Sequence, residues 1–83
     1  MHTRVNAVTD FGRPLPLRAA REARGMTLRA AARSSRIDPG HLSKVERGEK
    51  QLSIDALYRL ATVLEMRELI ALIKPYVSPK AAA

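Results

Sequence analysis

The sequence predicts an all-α domain of five short helices, and three observations predict it. Apolar residues recur at three- and four-residue spacings between Leu17 and Ile73. Thr27, Asp38 and Ser53 each stand just before such a run, and glycine or proline closes several of them. With 83 residues the chain has room for one small domain. A domain of this size hides only about 60% of its unfolded surface, so a partner subunit is a natural source of further stability.

Residues 1–16 mix polar residues, glycine and proline without periodicity, and Pro14 and Pro16 disfavour helix, so a flexible N-terminal arm is expected. The first helix begins at Leu17, carries Leu17, Ala20 and Ala23 on one side, and stops at Gly25, which takes a positive φ at little cost. Thr27 caps the second helix, where Leu28, Ala31, Ala32 and Ser35 form a small-residue face with Arg29, Arg33 and Arg36 directed elsewhere. Asp38 followed by Pro39 starts the third helix: the carboxylate accepts an orphan amide, and proline loses no bond at the first helical position. Leu42 and Val45 turn to the core, Gly40, His41, Ser43, Lys44 and Arg47 turn outward, and Gly48 ends the helix.

Ser53 caps the fourth helix, whose Ile54, Leu57, Leu60, Ala61 and Leu64 make the widest apolar stripe in the chain. A fifth helix, Arg67 to Lys74, carries Leu69, Ile70, Leu72 and Ile73, more apolar surface than one face of so small a domain hides. Pro75 ends it. The domain is therefore expected over residues 17–74, followed by a loose tail over 75–83.

Composition excludes several functions. Without cysteine there are neither disulfides nor thiolate metal sites, and His2 and His41 are too few for a zinc cage, so no metal and no cofactor are expected. No apolar run approaches the roughly 18 residues that mark a membrane span, and the opening residues lack the apolar stretch of a secretory signal, so the expected compartment is the cytoplasm. No phosphate-cradling glycine loop and no histidine beside a plausible nucleophile is found, so no catalysis is expected. The net charge of +7 favours a polyanion. From Arg18 to Lys50 nine basic residues face four acidic ones, which places most of that charge on the first three helices and argues for nucleic acid over a membrane surface.

The second and third helices, joined by a tight turn at Ser34 to Ile37 with Ala31 and Ala32 at the crossing, have the spacing of a helix-turn-helix. The segments LRAAREARGMT and IDPGHLSKVERGEKQLSIDALYRLATVL, above all the run Leu42 to Gly48 and the Leu-x-x-Leu-Ala pattern at Leu57 to Ala61, resemble the Cro/C1-type (XRE-like) helix-turn-helix family. The resemblance covers about Leu17 to Leu69. It implies a compact five-helix lambda-repressor-like domain, a sequence-specific regulator of transcription on duplex DNA, a repressor in the first instance, and a homodimer reading an inverted repeat. It also implies that Arg21 pairs with Glu46 and so fixes the angle of the reading helix.

Three features depart from the family pattern, at four positions. Leu28 stands where many members carry a phosphate-binding glutamine. Arg36 stands in the turn where glycine is usual, so Arg36 or Ser35 must take a left-handed conformation. Pro39 and Gly40 stand where long polar side chains usually meet bases, and neither donates a side-chain hydrogen bond. The expected base contacts are then Lys44, which has the reach to guanine O6 or N7, with His41, Ser43 and the backbone at Gly40. The expected phosphate contacts are Thr27, Arg29, Arg36, Arg47, Lys50 and Gln51. The surplus apolar residues Leu69, Ile70, Leu72, Ile73, Tyr76 and Val77 are the expected dimer surface, with folding back on the domain's own core as the alternative. The weakened readers at Pro39 and Gly40 keep a second function open: a protein-interaction module, such as an antitoxin bound to its toxin or a coactivator-like adaptor.

Overall fold

The computed structural model describes residues 15–82, and among them all regular structure is helical. The five expected helices are α1 (Leu17–Ala23), α2 (Leu28–Ser35), α3 (Pro39–Glu46), α4 (Ile54–Val63) and α5 (Arg67–Ile73); a 3-10 turn at Lys74–Tyr76 and a short α6 (Pro79–Ala82) follow. The expected arm lies outside the described residues except for Leu15 and Pro16.

The helix starts follow from side chains. Thr27 Oγ1 accepts the Ala30 amide at 3.0 Å, Asp38 Oδ2 the His41 amide at 2.9 Å, and Ser53 Oγ the Ala56 amide at 3.1 Å. Each bond satisfies a donor that the first helical turn leaves without a partner.

The helix ends share one device. After α1, α2, α3 and α4 come Gly25 (φ 70°), Arg36 (φ 57°), Gly48 (φ 79°) and Glu65 (φ 56°), all left-handed. At each, the left-handed residue's amide bonds the carbonyl three residues back and the next amide bonds the carbonyl five back, as with Arg36 N to Arg33 O (3.2 Å) and Ile37 N to Ala32 O (2.9 Å). Glycine takes this conformation freely; Arg36 and Glu65 take it at a cost on the order of 1 kcal/mol each. The alternative left-handed residue in the turn, Ser35, stays helical and buried, its hydroxyl donating to the Ala31 carbonyl at 2.6 Å.

α4 is the centre of the domain: it packs on α2 and α5, α2 packs on α3, and α6 returns to α4. Leu42 and Leu60 are fully buried, surrounded by Leu17, Ala31, Ala32, Val45, Leu57 and Leu64. The alanines on α2 let α3 and α4 approach closely, which is what a short helix-turn-helix with little apolar bulk requires.

Two expectations about the C-terminal region change. Ile73, expected on a dimer surface, is only 9% exposed and belongs to the core, with Leu69 and Val77 packed against it. It lies on the side of α5 that meets α4, and the alternative of folding back holds for these three. Leu72 and Tyr76 point the other way, at 71% and 76% exposure.

The segment after Pro75, expected to be loose, is tied to α4. Ser78 donates its amide to Asp55 Oδ1 at 3.0 Å and its hydroxyl to Asp55 Oδ2 at 2.8 Å, while its Oγ accepts the Ala81 amide at 3.3 Å and starts α6. The Ser78 amide first, then its hydroxyl, hold the Asp55 carboxyl below its ordinary value against partial desolvation, with a smaller contribution from Arg59. A depressed folded-state pKa stabilises the docked tail above the unfolded value of about 3.9, and the contribution is lost as pH falls through the folded value. The Ser78 amide resonance is therefore expected to hold constant from pH 7 to about 5 and to shift only below the ordinary aspartate range. A midpoint at or above that range would contradict the latch.

Candidate nucleic-acid interface

α2 and α3 meet across a turn of three residues, Arg36, Ile37 and Asp38, with Ile37 buried beneath it. α3 therefore lies on the surface with Leu42 and Val45 inward. Its first turn is rigidly started, since Pro39 sits at the first helical position and Asp38 holds the His41 amide.

The orientation of α3 is fixed from the far side by α1. Arg21 Nε donates to Glu46 Oε2 at 2.7 Å and Nη2 to Glu46 Oε1 at 3.0 Å, a two-pronged pair between residues 25 apart in sequence. A third bond runs from Arg21 Nη1 to the Met26 carbonyl at 2.9 Å. The two side chains are 10% and 6% exposed. Hydrogen bonding to Glu46 raises the Arg21 pKa further above its ordinary value, against a smaller opposing effect of burial. Among the described residues no buried side-chain polar atom lacks a partner, so the pair is both paired and satisfied.

The expected contact residues fall into three groups. Gly40 and Lys44 are exposed on the outer face of α3. A side-chain carbon at Gly40 would meet only Asp38 Oδ2, at 3.1 Å, so the first turn of α3 presents bare backbone there. His41 is half-buried and turned to the shoulder, where it lines a cleft with Asp38, Leu52, Ser53 and Arg59. On a 100° helical step it sits beside the core residue Val45, whereas Lys44 and Gly40 lie opposite Leu42. Ser43 is half-buried and its hydroxyl accepts from Arg47 Nη1 at 2.6 Å.

Among the expected phosphate contacts, Arg29, Arg36, Lys50 and Gln51 are exposed. Thr27 is exposed too; its oxygen accepts the Ala30 amide, which leaves its hydroxyl proton to offer. Arg47 is engaged: Nε donates to Glu49 Oε2 at 2.8 Å and Nη2 to Oε1 at 3.2 Å. That hydrogen bond holds the Glu49 carboxyl below its ordinary range and raises the Arg47 pKa. The pair is about half exposed, so solvent and salt weaken it and a phosphate oxygen is a ready substitute for Glu49. Leu28, in place of the usual glutamine, is partly buried against the core, so that position packs rather than reaches outward.

Two basic residues stand outside the expected contacts. Arg33 adds an exposed cation to α2. Arg59 on α4 donates from Nε to the Ser35 carbonyl at 2.8 Å, at the end of α2. The missing glycine at position 36 was the signal for the second: a left-handed arginine in a tight turn calls for an external support.

The helix-turn-helix family profile matches residues 17–69, the span that contains α1 to α4 and the start of α5. The chain belongs to the XRE-type helix-turn-helix family. Within this family it is similar to the transcriptional regulator ClgR of Mycobacterium tuberculosis, from strains CDC 1551 / Oshkosh and ATCC 25618 / H37Rv alike, with 40% identity over 57 residues, 69% of this chain and 51% of the relative. The chain thus spans about half the length of the curated relatives it matches. It is also similar in structure to the clp gene regulator ClgR of Corynebacterium glutamicum, with a TM-score of 0.61 and 33% identity, covering 81% of this chain and 73% of that one. A helix-turn-helix of this family is a DNA-binding element. No helix among the described residues is long and apolar enough to cross a membrane.

Proposed function

We propose that this helix-turn-helix domain is the reading head of a transcription regulator that binds duplex DNA sequence-specifically, as a homodimer on an inverted repeat. The observation that carries the reading is the exposed outer face of α3, with Gly40 and Lys44, locked at one angle by the buried Arg21–Glu46 pair and flanked by Arg29, Arg33, Arg36 and Lys50. The cations neutralise phosphates and set register, and Lys44 reaches base edges in the major groove. With Gly40 and Pro39 offering no side-chain donor, each domain reads few bases, and two copies with reading helices about 34 Å apart recover specificity. The two-fold contact is assigned to the exposed Leu72 and Tyr76. Occupying an operator excludes polymerase, so repression is the expected sign, and the names of the relatives support the regulatory role.

Selection from a random duplex pool at near-physiological salt tests this reading. The expected result is an inverted repeat, bound with a log–log salt slope of about −4 to −5 per domain if about five phosphates are neutralised. A pool that returns no common sequence would favour a protein partner, such as a toxin, for which the bare first turn of α3 is the supporting feature.

A further inference from the structure

We propose that Arg59 is a positioning residue for DNA reading: from α4 it braces the left-handed turn at Arg36 and thereby fixes where α3 points. This rests on the DNA-reading function proposed above. The last carbonyls of a helix have no amide of their own to accept from. At the end of α2 the Arg36 and Ile37 amides serve the Arg33 and Ala32 carbonyls, so the Ser35 carbonyl lies beyond their reach. Arg59 Nε supplies that donor at 2.8 Å. Its Nη2 lies 3.5 Å from the Arg36 carbonyl, a long contact that adds direction more than strength.

The partner of this bond matters because Arg36 is the residue that turns the chain. Its φ of 57° and ψ of 46° are set in a region that disfavours a side chain, and three residues later α3 has begun. Were Arg36 to relax to an ordinary negative φ, α3 would swing on α2, and Gly40 and Lys44 would leave the outer face. A planar guanidinium anchored on the central helix holds the carbonyl on either side of Arg36 and leaves that relaxation no room. The other non-glycine residue in this conformation, Glu65, is also tied by an arginine, since Arg24 Nη2 meets its Oε2 at 2.7 Å.

The proposal predicts coupling between positions 59 and 36. In the full chain, Arg59→Met is expected to weaken binding to the selected operator about tenfold with the salt slope unchanged, because a positioning hydrogen bond, not a phosphate contact, is removed. Arg59→Lys keeps the charge but not the fork, and is expected to behave as the methionine does. Placed in an Arg36→Gly background, where the turn needs no brace, Arg59→Met is expected to cost less than about twofold. Amide exchange in the free protein reads the brace without DNA: the Arg36 and Ile37 amides should exchange faster in Arg59→Met and recover in the double variant. Equal losses in both backgrounds with a slope reduced by about one would overturn the proposal and make Arg59 a phosphate contact. Full recovery by Arg59→Lys, or turn amides unmoved by Arg59→Met, would overturn it as well. If the parent selects no duplex, the DNA-reading function fails while the exchange measurement still decides the brace.

Discussion

Glu46→Ala is expected to cost about 3–5 kcal/mol of stability, the largest effect of any single substitution considered for this domain. The substitution leaves the Arg21 guanidinium buried, with the Met26 carbonyl as its sole remaining partner. An unpaired buried charge is far more costly than the net worth of the pair that held it. In a domain of this size each kcal/mol corresponds to about 4–8 °C, so the melting temperature should fall on the order of 20 °C, as circular dichroism would record. The double variant Arg21→Met, Glu46→Leu removes both charges and is expected to melt near the parent. If Glu46→Ala melts within a few degrees of the parent, the pair is not buried as described. The double variant also separates stability from reading: it should fold, yet bind the operator less selectively, because apolar contact does not dictate an angle as two parallel hydrogen bonds do.

Lys44→Ala is expected to cost about 2 kcal/mol per half-site, roughly 30-fold, in specific binding, and to relax sequence preference at one position in each half of the repeat. Lys44 is exposed on the outer face of α3, and no other long side chain shares that face unengaged, since Arg47 donates to Ser43 and Glu49. Lys50→Ala provides the contrast. It should weaken all duplexes alike and reduce the salt slope by about one, without altering the selected sequence. If Lys44→Ala behaves in the same way, Lys44 touches phosphate and the bases are read by backbone and shape.

What was legible in the sequence was what is encoded locally. Thr27, Asp38 and Ser53 announce helix starts because each side chain bonds an amide three residues on. Gly25 and Gly48 announce stops for the same local reason. Asp38-Pro39 is legible as a start, whereas its counterpart Ser78-Pro79 is not, because it follows Pro75 closely and opens only four residues of helix. The cross-chain contacts were not legible from pattern. Arg21 and Glu46 are joined by three-dimensional proximity alone and came only through resemblance; Arg59 to Ser35 and Asp55 to Ser78 came not at all. Ile73 was misplaced because an apolar residue on a short, mostly apolar helix has no polar face to define its direction. The cleft that half-buried His41 lines with Leu52, Ser53 and Arg59 is likewise a matter of tertiary packing that spacing along α3 does not show.

The four left-handed stops also bear on how quickly the domain assembles. Each closes a helix within six residues of chain, and three of the four following helices open on a cap reaching only three residues forward. Secondary structure can thus be delimited before any distant segment arrives, and what remains is the collision of preformed rods. Helical domains built from such near-neighbour contacts fold in about microseconds to milliseconds. The slow step then falls to the few closures of long span, and among the buried side-chain hydrogen bonds the longest joins residues 21 and 46. The ion pair between α1 and α3 is accordingly expected to form as the barrier is crossed, so its loss should slow folding as well as speed unfolding.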